Sequence, residues 1–142
     1  MKRIARTLMS LALVGLVLGG CNQATTAAPK EEAIHVEEQA SGLKQLTLSA
    51  RAAERLGVET APVAGTASAL TVPYAAVIYD AKGDTWSYVS TAPHVFLREQ
   101  ITVEEIDGDT ALLSAGPAVG TSIVTTGAAE LYGAEIGVGG GH

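Results

Sequence analysis

The chain has 142 residues, with fifteen acidic and nine basic side chains and a net charge of −6. That balance disfavours nucleic-acid binding and a polybasic grip on anionic lipid. A single cysteine excludes an internal disulfide, and the length leaves room for one small domain with a modest core.

Lys2, Arg3 and Arg6 give the chain a positive start. Leu8 to Leu18 follows as an apolar run broken only by Ser10 and Gly15, and Gly19-Gly20 leads into Cys21. A charged start, a short apolar run and small residues at a cleavage site define a secretory signal peptide over residues 1–20. The run is well short of the roughly 20 residues a membrane-spanning helix needs. Leu18-Gly19-Gly20-Cys21 resembles the lipobox of bacterial lipoproteins. The resemblance implies cleavage before Cys21 and lipidation of its thiol. The competing reading is an ordinary signal peptide with an incidental cysteine. Two or three acyl chains on one residue anchor firmly, where one holds only marginally. Removing the leader takes away three basic residues, which leaves six against fifteen acids and a charge of −9 for the mature chain.

Residues 21–42 are rich in Ala, Thr, Glu and Gln and poor in large apolar groups. Glu31, Glu32, Glu37 and Glu38 repel one another, so this stretch reads as a flexible acidic tether. The folded domain is expected over residues 43–136. Leu46-Thr47-Leu48 alternates as a strand does. Ser49 is placed to cap a helix over Ala50–Leu56, with Gly57 just past its end. Val58–Val63 is extended, and Pro62 makes it an edge or a strand end. Gly65–Ala69 is a connection. Ala75–Tyr79 and Thr85–Val89 read as a hairpin about Asp80–Asp84, with Trp86 and Tyr88 on one face.

Val95–Arg98 and Ile101–Val103 form one long or bulged strand, turned at Asp107-Gly108 and answered by Ala111–Ser114. Gly116–Gly120 is a further turn, Ile123–Thr126 a last strand, and Ala128–Tyr132 a single helical turn. Residues 137–142 form a Gly-rich tail. Short strands joined by Gly, Pro and Asp turns predict a mainly β fold, a small roll or barrel with one short helix.

Catalytic and metal signals are weak. His35, His94 and His142 are far apart, and none has a partner at ligand spacing. The only methionines, Met1 and Met9, lie in the leader. Glu104, Glu105, Asp107 and Asp109 lack the spacing of a calcium loop and read as a solvated turn. Gly137–Gly141 leads into the chain end and not into a helix, so it is no phosphate loop. No nucleophilic triad has recognisable spacing. The expectation is a non-catalytic protein with no cofactor and no metal.

Two stretches carry a family resemblance. Leu46-Thr47-Leu48-Ser49 through Gly57-Val58-Glu59-Thr60-Ala61-Pro62-Val63 resembles the leading segment of periplasmic adaptor subunits (membrane fusion proteins) of RND-type efflux pumps. Val72-Pro73-Tyr74-Ala75-Ala76-Val77-Ile78-Tyr79-Asp80, with Trp86–Val89, Arg98, Ile101–Val103, Ser114–Gly116 and Ile123–Leu131, resembles the membrane-proximal domain of the same family. In full adaptors a barrel, a lipoyl-like domain and a long α-hairpin separate the two stretches. Here a few residues join Val63 to Val72, and Gly116-Pro117-Ala118-Val119-Gly120-Thr121 departs from the family's usual Gly-Leu-x-x-Gly-Asp. The resemblance implies a membrane-proximal domain with the middle removed, in which Leu46–Leu48 joins the sheet built by Ala75–Val89.

By that resemblance the protein is an envelope lipoprotein acting as an interaction module. Its expected partners are the membrane, through Cys21, and an RND transporter or a full-length adaptor. The alternative is a free-standing lipoprotein binding a small ligand or metal, with Trp86, Tyr88 and His94 as the candidate residues. Core or rim packing is the simpler reading of the two aromatics.

Overall fold

Local chemistry fixes the first elements. A computed structural model describes residues 32–137. The leader, Cys21 and residues 138–142 of the tail lie outside the described residues. Strand β2 (Lys44–Leu48) runs into helix α1 (Ala50–Leu56). The Ser49 side chain accepts the Ala52 N–H at 3.2 Å and starts the helix. Gly57 stops it in the left-handed conformation, its N–H returning to Glu54 O at 3.1 Å.

Part of the expected tether is ordered as strand β1 (Ile34–Glu38), antiparallel to β2. The composition of 21–42 hides a short alternation. Ile34 stands opposite Leu48, Val36 opposite Leu46, and Glu38 opposite Lys44. Two apolar pairs and one opposite-charge pair are enough to hold a strand on a preformed neighbour.

The chain continues through β3 (Glu59–Pro62), β4 (Ala64–Thr66) and β5 (Ala69–Pro73). A turn of 3-10 helix at Tyr74–Ala76 leads into the two-residue β6 (Ile78–Tyr79). The strand expected over Ala75–Tyr79 is thus mostly a tight turn, closed by Val77 N–H on Tyr74 O. Alanines resist this least, being poor strand formers. Then follow β7 (Thr85–Ala92), β8 (Val95–Asp107), β9 (Thr110–Ala115), β10 (Ser122–Thr126) and helix α2 (Ala128–Glu135). Over the described residues the fold is mainly β, a nearly closed barrel-like sheet with two helices, so the expected single helical turn over Ala128–Tyr132 is a full second helix.

The strand order is β3-β10-β7-β8-β9-β5-β4. Its two ends, β3 and β4, are neighbours in sequence joined at Val63, so the ring is completed by the chain itself. Val63 is buried, donates to Thr121 O at 2.9 Å and accepts from Gly120 N at 2.8 Å. Long strand β8 makes the barrel curve. Its first half pairs with β7 and β2, and its second half with β9. Register shifts between Thr102 and Glu105 mark the bend, since an extra residue increases local twist.

Strand alternation sorts side chains into two cores. Leu46, Leu48, Tyr88, Phe96 and Val124 face the helices and pack with Ala52, Ala53 and Leu131. Leu70, Val72, Ile101, Leu113 and Ile123 fill the barrel interior with Val63 and Val77. Consecutive residues Ile123 and Val124 serve opposite cores, as a two-residue period requires.

Candidate functional site

The most developed polar constellation lies beneath α2. Glu135, on its last turn, is only 3% exposed. Its Oε2 accepts the Tyr88 hydroxyl at 2.5 Å, and its Oε1 lies 2.9 Å from Arg98 Nε. The Arg98 N–H is not aimed along that line, so the contact is an ion pair without an aligned hydrogen bond. The Arg98 guanidinium carbon stacks 4.5 Å from the centre of the Trp86 ring. Trp86 Nε1 donates to Asp80 Oδ2 at 3.2 Å. Lys44 Nζ donates to the Glu135 backbone carbonyl at 2.8 Å, supplying a cation at the helix end.

Tyr88 and Trp86 therefore share a face, as their spacing predicts. Their work is to hold α2 and Arg98. Burial first, and donation to Glu135 second, push the Tyr88 hydroxyl far above its ordinary range. Desolvation pushes the Asp80 carboxyl up. Donation from the backbone N–H groups of Lys82 and Asp84, and from the Trp86 indole, outweighs it and leaves the carboxyl below its usual range. The Tyr88, Arg98 and Lys44 contacts all converge on Glu135, so the network is a latch between helix and barrel.

His94 lies elsewhere. It is the second residue of the two-residue loop Pro93-His94 between β7 and β8, about 20 Å along the strand from Trp86. Its φ of 62° is the only positive value at a non-glycine position among the described residues. Proline followed by a positive φ is the order of a type II turn, which favours glycine or asparagine second. His94 O accepts from Leu48 N at 2.9 Å, so the turn is pinned to β2. Replacing His94 with glycine should leave stability unchanged or raise it by up to about 1 kcal/mol in urea unfolding, because it relieves a left-handed side-chain residue. A clear loss would mean that the imidazole makes a needed contact.

His94 also lines a shallow groove of about 520 Å³ between α1, β3 and the β7–β8 loop, with Glu54, Glu59, Val58 and Phe96. Trp86 and Tyr88 do not line it. The three residues singled out in the sequence are thus split between a latch and a loop. Among the described residues, no group of three His, Cys, Asp or Glu side chains is placed to hold a metal ion.

The acidic residues Glu104, Glu105, Asp107 and Asp109 are exposed on the outer half of β8 and its turn. That half of β8 has ladder partners only in β9 among the described residues, and charges there blunt an open edge. Glu135 is the residue that sequence reasoning missed. Glu135 falls at the end of the expected domain, past the single helical turn read over Ala128–Tyr132, with no signal of its own. Only the tertiary approach of Arg98, which carries no local signal, makes it a core position.

No family model, curated protein or solved structure matches the chain.

Proposed function

We propose that this is an envelope lipoprotein, anchored through lipidated Cys21, whose barrel is a non-catalytic interaction module resembling the membrane-proximal part of an RND adaptor. One observation carries the reading. The leading segment and the later segment, which the resemblance places in one domain, pack in one core: Leu46 and Leu48 lie with Ile78, Tyr88 and Val124. The Val63–Val72 joint, where full adaptors hold their other domains, is here the short β4–β5 hairpin with a two-residue turn. The module contacts a transporter or a full-length adaptor through its barrel surface. It does not bridge two membranes alone, since no helix of the described residues exceeds eight residues.

The anchor is tested by feeding labelled palmitate to cells making the full chain. The wild type should carry label and sediment with membranes, and Cys21→Ala should do neither. Label on Cys21→Ala, or none on the wild type, would sink the lipoprotein reading. For the partner, tagged protein cross-linked in whole cells should bring down a transporter or an adaptor.

A further inference from the structure

Among the described residues, strand β1 has one ladder neighbour, β2, and its outer edge is unpaired. No proline blocks that edge. Natural edges of this kind are usually blunted or used. One of the exposed large apolar side chains stands on it: Val36 is 39% exposed. Val36 shares a face with its cross-strand neighbour Leu46, which lies in the helix-side core. Lys44 reaches the Glu135 carbonyl from that same face, so the end of α2 covers β2 there.

We propose that β1 is a self-association edge, and that its occupant is β1 of a second copy of this chain, paired antiparallel about a two-fold axis at Val36. The axis decides every pair. Val36 meets the partner's Val36, and Ile34 meets the partner's Glu38. His35 meets the partner's Glu37 twice. No acidic residue of the strand stands directly opposite another, although β1 ends in Glu37-Glu38. Had the register placed Glu37 on Glu37, repulsion would oppose pairing. The symmetry also brings the helix-bearing faces of both copies to the same side of the seam, so the two Val36 side chains cover one another. A sheet edge of five residues buries little area, and such contacts are weak in dilute solution. Two copies held in one membrane by their anchors meet at a much higher effective concentration. The strength of association, though not its register, therefore rests on the lipoprotein reading.

The test is disulfide trapping of the full-length protein in cells, with an added oxidant. Directly opposed residues of two antiparallel strands fall within disulfide reach. Val36→Cys should give a covalent dimer on a non-reducing gel, several-fold more than Val119→Cys, a comparably exposed apolar site at 49%. A second reading uses two differently tagged copies, one His35→Cys and the other Glu37→Cys, both at exposed positions. They should form mixed dimers in excess of His35→Cys with itself. Equal trapping at Val36 and Val119, or no preference for the mixed pair, overturns the proposal. Palmitate labelling of the same cells reports on the anchor separately. Labelled protein without trapping at Val36 refutes the seam and leaves the anchor standing. Trapping without label keeps the seam and removes the anchor.

Discussion

Replacing Glu135 with alanine should cost about 3–5 kcal/mol of folding stability, the range expected when one member of a buried ion pair is removed. The substitution strands three groups. Arg98 loses its counter-charge, with only 19% of its side chain exposed to recover hydration. The buried Tyr88 hydroxyl loses its acceptor. α2 loses its side-chain tie to Arg98 and Tyr88, keeping only the Lys44 bond to its backbone and the packing of Ala128 and Leu131, and that helix has little strength of its own. It starts at Gly127, which gives no side-chain cap, and Gly133 sits inside it. Glycine within a helix costs about 1 kcal/mol against alanine. Urea unfolding of the variant provides the number. The double change Glu135→Met with Arg98→Met should recover much of the loss, because an apolar pair of similar volume removes both charges at once. A small effect of Glu135→Ala alone would mean that water reaches Arg98 readily and that the latch is weak.

The second large effect is expected at Gly65. Its φ is 94°, and a Cβ built there would lie 2.1 Å from the Ala69 carbonyl oxygen. That oxygen belongs to the backbone of β5 and cannot swing aside. Gly65→Ala should therefore cost at least about 3 kcal/mol, combining left-handed strain with the clash. Gly83 is the control. Its φ is 88° but nothing lies within 4 Å of its added Cβ, so Gly83→Ala should cost about 1–2 kcal/mol. The comparison isolates the β4–β5 turn. That turn lets the chain pass at once from β3, beside β10, to β5, beside β9, so the barrel closes without any inserted domain. Equal losses at Gly65 and Gly83 would show that the turn relaxes easily.

Much of this architecture was legible because its signals are local. Ser49 and Gly57 bracket α1 as their capping chemistry requires. Pro62 stands in an edge strand, and the Asp107-Gly108 turn separates β8 from β9. The single long strand follows from apolar residues on both sides of Glu99-Gln100, while its register shifts lie further on, between Thr102 and Glu105. What stayed hidden is what depends on a distant partner. β1 looks like an acidic tether until β2 supplies Leu46 and Leu48 opposite its two apolar residues. α2 looks like a single turn until Arg98, Tyr88 and Lys44 gather around Glu135. The candidate site divided in the same way. Trp86 and Tyr88 share a face because the strand period says so. His94 stands apart from them because a two-residue loop ends the hairpin, and no residue-level pattern gave it a ligand's neighbours.

The proposed contact of the barrel with a transporter or a full-length adaptor at the membrane is tested most directly by site-specific photo-cross-linking in cells. A photoreactive side chain replaces Tyr79, 47% exposed on the barrel, or Arg51, exposed on α1, in the full-length tagged protein. The account predicts a light-dependent adduct of an RND transporter or adaptor from the Tyr79 position, and little from Arg51. Adducts from neither position, with the protein recovered in the membrane fraction, would contradict it and leave a free-standing lipoprotein.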